Sequence, residues 1–497
     1  MAAAAVLVAA PVAAAPSAKQ RAALQAAVKA GHDASVQRLR DWIALPTIAA
    51  EGKNVKEGAE LMVSLAREAG FADARIVPTR GVPGVFGTID VGAPTTVGVY
   101  FMYDVKQYDP AEWSSPPLEG RLVDRPGEGK AIVGRGAVNQ KGPQTAFLAA
   151  LKAFRAAGLK LPVNVVLVAE GEEEIGSPNF GEVVAAPDVL AALRKASGVF
   201  IPFNAQNSDG SGNVNLGAKG VVELQLVVGG ETSDRYPKDD THSSSHARIE
   251  NPAWRLVKAL DTLVKDDGFT PAIAGWFDNV KPLTARQKEL VAKLAAQGSE
   301  ADAKKGSGGV GRWINNEDYR ASIERLISQP TINIQGLVSG YTGPGGKTVL
   351  PGRAEAKLDL RLVPDMTKEE AVAKLNAHMA SHGFSDVKVI VSGGYSPTQT
   401  DENSTLVRAQ KKVLEQWGIP YALNPRLAGS WPGVVFTGPP LQLPAGQIGI
   451  GRGGGAHAPN EWYLIESSNP KVAGFDELAL YYADFLYALA DEAKKKR

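Results

Sequence analysis

Four carboxylates crowd the stretch Glu170-Gly171-Glu172-Glu173-Glu174-Ile175-Gly176-Ser177, directly after the apolar, β-branched run 165–169. The run reads as a buried strand and the Gly-Ser end as a turn. The acids therefore sit where a strand gives way to a loop, a place where side chains converge on ligands. Two adjacent glutamates can divide labour there, one holding a cation and the other shuttling a proton. Taken alone, the stretch reads first as a solvated acidic turn, since surface acids are common. The segments around it change that balance.

The chain has 497 residues, more than one compact core accommodates, so two or more domains are expected. Its 54 Lys and Arg nearly match its 53 Asp and Glu, which gives no charge bias toward nucleic acid or a membrane surface. There is no cysteine, so disulfides, thiolate nucleophiles and Cys-ligated metals are excluded. Any histidine ligand must come from His32, His242, His246, His378, His382 and His457. The Ala-rich, apolar start turns polar at Ser17-Ala18-Lys19. It resembles the apolar core and cleavage zone of a secretory leader over residues 1–18, and a periplasmic or secreted location is expected from it. No later stretch is long and apolar enough to span a bilayer.

The elements that must position the acids follow from periodicity. Residues 19–45, 55–69, 142–157 and 180–195 read as helices, and 74–77, 85–89, 96–103 and 163–169 as strands. This alternation predicts an α/β sandwich on a mostly parallel sheet. The pattern then changes to strand 220–228, helix 251–263, a polar insert near 265–325, strands 331–338 and 354–362, helix 368–381 and strand 386–391. That order predicts an inserted ferredoxin-like α+β domain. The expected division is a first part of the α/β domain over 19–218, the insert over 219–396 and the return of the first domain over 397–497.

Read in order, the chain resembles the M20 family of metallopeptidases and amidohydrolases, the carboxypeptidase-, aminoacylase- and carnosinase-like enzymes. The marks are VGVYFMYDVKQYDPAEWSSPPLEG (97–120), GRGAVNQKGP (134–143), EGEEEIGS (170–177), THSS around His242 with LDLRLVP around Arg361, and GRGGGAHAPNE ending at Glu461. Gly429-Ser430-Trp431-Pro432 resembles the family's Gly-Ser-x-Pro loop. The resemblance implies a catalytic α/β domain, a lid that often dimerises, and a centre of two zinc ions. It implies Glu173 as general base to a water, Asp104 as an orienting acid, and Glu174 and His457 as metal ligands. It also implies Arg361 as the partner of a substrate carboxylate, and His242 as an oxyanion donor to a neighbouring subunit.

The resemblance breaks at three ligand positions. The family's first histidine falls on Met102, its bridging aspartate on Asn139, and a further aspartate on Phe203 or Asn204, with Asp209 several residues late. A neutral amide cannot bridge two dications, and a thioether is a poor zinc ligand beside carboxylates. The expected cofactor is therefore none, or one weakly held divalent ion such as zinc at Glu174 and His457, rather than a dinuclear centre. Lys106 and Lys141 lie near the metal loops and could supply lost positive charge. Asn139, Lys141, Ser430 and Asn460 join Arg361 as candidate substrate-binding residues.

Three readings stay open. The first is hydrolysis of an amide in a small carboxylate-bearing substrate, of dipeptide or N-acyl amino acid type, by Glu173 with a degenerate centre. The second is a ligand-binding member of the family without catalysis, and the third a metal-independent acid/base enzyme of another reaction. The expected partners are a small-molecule substrate and a second copy of the chain through the lid, with no nucleic acid.

Overall fold

A computed structural model describes residues 15–495. Ten strands build its central and second sheets. They are β1 (Arg75–Val77), β2 (Gly84–Ile89), β3 (Thr96–Met102), β4 (Asn164–Glu170), β5 (Ala196–Pro202), β6 (Gly220–Gly229), β7 (Thr331–Ser339), β8 (Arg353–Leu362), β9 (Lys388–Tyr395) and β10 (Ala445–Ile448).

The central sheet has the order β1-β2-β4-β3-β5-β10. Neighbours from β4 to β10 run parallel, and β1 and β2 add an antiparallel edge. Val165, Leu167 and Ala169 of β4 point into one apolar cluster and Val166 and Val168 into another. Burial on both faces is why this strand reads as a continuous apolar run. The helix Gly142–Ala156 covers one face together with the C-terminal helix Phe475–Lys494. Between them Phe147 meets Phe101, Phe200 and Tyr482, with ring centroids 6.2, 5.3 and 5.5 Å away. Truncating such a ring to alanine costs about 3–5 kcal/mol.

The second sheet is antiparallel throughout, in the order β7-β8-β6-β9. With helices Pro252–Asp261 and Lys368–Ser381 between its strands, this is the ferredoxin-like order. Val222, Leu224, Leu226 and Val228 of β6 and Leu358, Leu360 and Leu362 of β8 pack against Leu256, Leu260, Leu375 and Met379 of those helices. Alternation therefore turns Val221 and Arg361 to the helix-free face. Thr331, Arg361, Val221 and Tyr395 form one cross-strand row on that side.

Two long predicted helices are each divided. Residues 19–45 form Ala18–Ala30 and His32–Ala44, with Gly31 at the junction. Residues 180–195 form Phe180–Ala185 and Pro187–Leu193, because Pro187 lacks the N–H that would continue the first helix. The predicted leader falls mostly on residues 1–14, outside the described residues. The polar switch read as a cleavage zone is a helix start: Ser17 caps Ala18–Ala30 and shares a capping box with Gln20. Among the described residues no helix is long and apolar enough to cross a membrane. A further sheet, Gly453–Gly454, Trp462–Ser467, Gly129–Val133 and Arg121–Arg125, is not foreseen by the sequence reading and proves to hold two loops of the site.

Candidate active site

β3 and β4 are parallel neighbours and end together, with Met102 beside Glu170. The loops after them therefore leave the sheet side by side. Asp104, two residues past β3, is 1% exposed and accepts the backbone N–H groups of Glu173 (3.2 Å) and Glu174 (3.0 Å). Its carboxyl is pushed up to about 8, first by burial and then by the charge of Glu174, against the pull of those N–H groups. Asp104 thus positions the turn Glu173–Ile175 through its backbone.

The loop 134–141 brings the second wall. Glu461, 1% exposed, accepts N–H groups from Gly136, Val138 and Asn139, each at 2.9 Å, and pairs with Arg135 Nη1 at 2.9 Å. Arg135 also donates to the carbonyl of His457 at 3.3 Å. One buried carboxylate therefore fixes both the Asn139 loop and the His457 loop. The outcome is a triangle: Asn139 Nδ2 donates to Glu174 Oε1 at 2.7 Å, and His457 Nε2 lies 3.1 Å from Asn139 Nδ2 and 3.2 Å from Glu174 Oε2. Lys106 Nζ donates to the Glu174 carbonyl and stands 3.7 Å from Glu174 Oε2.

Glu173 faces the second sheet. Tyr395 O–H donates to its Oε1 at 3.2 Å, and Gly394 N–H donates to the Gly176 carbonyl at 3.0 Å. A Cβ on Gly393 would come within 2.0 Å of the Ile175 carbonyl oxygen, so only glycine lets β9 approach this closely. Burial, then the charges of Glu174 and Asp104, holds the Glu173 carboxyl well above the usual carboxylate range, opposed by Lys106. In the same cross-strand row, Arg361 Nη1 donates to Ser430 Oγ at 2.9 Å, and Arg361 Nε lies 3.3 Å from Asp359 Oδ2.

Several predicted site residues are placed elsewhere. Lys141 is fully buried and donates to the carbonyls of Trp42 (2.8 Å) and Leu45 (3.2 Å), so it braces the fold instead of meeting substrate. Asn460 spends its carbonyl oxygen on the Ser114 backbone N–H and hydroxyl, at 2.8 and 2.7 Å. His242 contacts Ser244 and Thr348, away from the glutamates of its own chain. Met102 packs in an apolar cluster with Tyr100 and Trp431, and Phe203 donates its backbone N–H to Ile448 and Tyr482. Asp209 binds Ser211 and stays out of the triangle. Among the described residues no group of three or more His, Cys, Asp or Glu is placed to hold a metal ion. The organising roles of Glu461, Arg135 and Tyr395 are not foreseen from sequence. The signal for Glu461 is its place at the end of the Gly-rich loop, and for Tyr395 the Gly393-Gly394 pair before it.

Residues 103–481 match the model of peptidase family M20/M25/M40. Cys-Gly metallodipeptidase DUG1 of Candida albicans is 26% identical over 86% of this chain and 90% of that protein. The human Beta-Ala-His dipeptidase is 27% identical over 78% of this chain and 76% of that protein. The crystal structure of an M20 family metallo-carboxypeptidase from Sulfolobus solfataricus superposes with a TM-score of 0.80 at 30% identity, covering 92% of this chain and 99% of the other. The expectation of a periplasmic or secreted protein is corrected here. These dipeptidase relatives match over most of the chain and give export no support, and the polar switch behind the expectation is a helix cap.

Proposed function

This chain belongs to peptidase family M20/M25/M40, and from that premise we propose that it hydrolyses the amide bond of a small carboxylate-bearing substrate of dipeptide or N-acyl amino acid type. Glu173 is the general base, and the centre works without the family's pair of zinc ions. The observation that carries this reading is the Glu173 site itself. A carboxylate of raised proton affinity is held by Tyr395 on one side and by the Asp104-bound turn on the other, and Tyr395 lies in the same cross-strand row as Arg361.

The donors present do not fit a dinuclear zinc centre. At the bridging position Asn139 presents an N–H to Glu174, where two dications require an anionic oxygen. Met102 is packed in apolar surroundings, Asp104 is occupied by backbone N–H groups, and Lys106 already sets an ammonium beside Glu174. Glu174 and His457 are the residual pair at which a single divalent ion could bind weakly.

In the proposed reaction Arg361 and Ser430 bind the substrate carboxylate. Glu173 takes a proton from water as the water oxygen bonds to the amide carbon. Lys106 and the His457 ring, both beside Glu174, meet the negative charge that develops on the carbonyl oxygen. The proton on Glu173 passes to the amide nitrogen, the C–N bond breaks, and a carboxylic acid and an amine leave. A homodimer through the second sheet, with His242 reaching a neighbouring copy, is part of the same proposal, since His242 has no role at the glutamates of its own chain. The test is Glu173→Gln on a panel of dipeptides and N-acyl amino acids. Turnover should vanish with the melting temperature preserved; persistent turnover removes Glu173 as the base.

A further inference from the structure

Arg361 does not stand alone as a positive charge. Lys219 directly precedes β6, two residues before Val221, the cross-strand partner of Arg361, and its ammonium feels the Arg361 charge. Arg426 joins them from the loop that leads to Ser430. The Leu427 N–H donates to the Gly217 carbonyl at 2.8 Å and the Lys219 N–H to the Leu427 carbonyl at 3.0 Å, which lays the two segments side by side.

Lys219 and Arg426 are 3% and 4% exposed. All their hydrogen-bond acceptors are neutral: Gln329 O at 2.6 Å for Lys219, and Ile327 O and Gln399 Oε1 for Arg426. Among the described residues neither forms an ion pair, and the buried Nε of Arg426 has no hydrogen-bond partner. Burial first, then the charges of Arg426 and Arg361, brings the Lys219 ammonium down to about 8. Two carboxylates are near. Asp359 is shared between Arg361 and Asn333, and Asp365 is bound to Lys281 at 3.0 Å. With Lys281 included, four cations stand against two carboxylates, neither of them free, and buried charge without a counter-charge is costly until an anion arrives.

We propose that Arg361, Ser430, Lys219 and Arg426 form an anion site balanced for two negative charges, so that the residue carrying the substrate carboxylate is acidic, of aspartate or glutamate type. Arg361 and Ser430 are the contact layer. Lys219 and Arg426 stand behind them, where low exposure leaves their field little screened. The substrate class rests on the hydrolase reading above, but the site can be tested by binding alone.

The experiment is calorimetric titration of the intact protein with L-glutamate and with L-glutamine, the isosteric neutral control, followed by hydrolysis of dipeptides ending in each. Glutamate should bind about tenfold or more tighter at low salt, and the preference should shrink as salt is raised. Lys219→Met and Arg426→Met should cut the preference to about twofold with glutamine binding retained. Equal binding of the two by the unaltered protein overturns the proposal, and that result needs no variant to fold. A preference unchanged in both folded variants also overturns it. Preferential binding without hydrolysis leaves the site standing and removes the hydrolase reading; hydrolysis without preference does the reverse.

Discussion

In the site proposed above Asn139 holds the bridging position of a two-metal centre, and Asn139→Asp turns that proposal into a measurement. The amide nitrogen sits 2.7 Å from Glu174 Oε1 as a donor. The substitution replaces that donor with an anionic oxygen facing another. A hydrogen bond to a charged group is lost, about 1.5–3 kcal/mol. Repulsion adds to this until one carboxyl takes up a proton, which caps the extra cost near 4 kcal/mol at neutral pH, at about 1.4 kcal/mol per pH unit. The total is about 2–7 kcal/mol. With 497 residues the unfolding entropy is about 1 kcal/mol per degree, so the melting temperature should fall by about 2–7 °C in chelator. The new carboxylate, Glu174 and His457 would also make three donors, the number an open zinc site takes. Zinc at a hundredfold above its dissociation constant should then return about 2.7 kcal/mol, or about 3 °C. Differential scanning calorimetry with chelator and with zinc reads both shifts. The reasoning is refuted if the variant is no less stable than the parent in chelator, or if the parent itself loses several degrees on chelation.

Arg361→Ala should raise KM for carboxylate substrates about 10–100-fold with kcat little changed, because it removes a charged hydrogen bond made before the chemical step; steady-state kinetics decide, and an unchanged KM rejects the role. Tyr395→Phe keeps the ring but removes the donor to Glu173, so kcat should fall about 5–10-fold with KM preserved, and an unaltered kcat would show that this contact does not position the base. Asp104 is held protonated in the fold up to about pH 8 against about 4 when unfolded, so the stability it contributes is full below about pH 4 and is lost as pH rises toward 8. Urea unfolding from pH 5 to 9 should show the parent losing stability relative to Asp104→Asn; parallel curves would contradict this.

The sequence reading carries furthest where one local rule dominates. The β4 run, the Gly70 end of Val55–Ala69 and the strand-helix order of the second sheet all follow from periodicity and glycine placement. It falls short where a residue's task depends on distant chain. Lys141 sits in a motif beside Asn139, yet the side chain turns inward because the carbonyls of Trp42 and Leu45, about a hundred positions away in the chain, receive it. Glu461 is one more acid at the end of a glycine-rich loop until the neighbouring sheet brings three backbone N–H groups to it. Tyr395 becomes a neighbour of Glu173 only when β9 folds against the Glu173–Ile175 turn; the Gly393-Gly394 pair marks a close approach but does not name the partner.

We propose that this family member cleaves amides with Glu173 and its protein neighbours, without a dinuclear metal centre. The most direct test is metal content of protein purified without chelator, measured beside hydrolysis of dipeptides and N-acyl amino acids before and after chelation. Hydrolysis should survive chelation, with less than one tightly held metal per chain. Two metals per chain with hydrolysis lost on chelation would contradict the proposal.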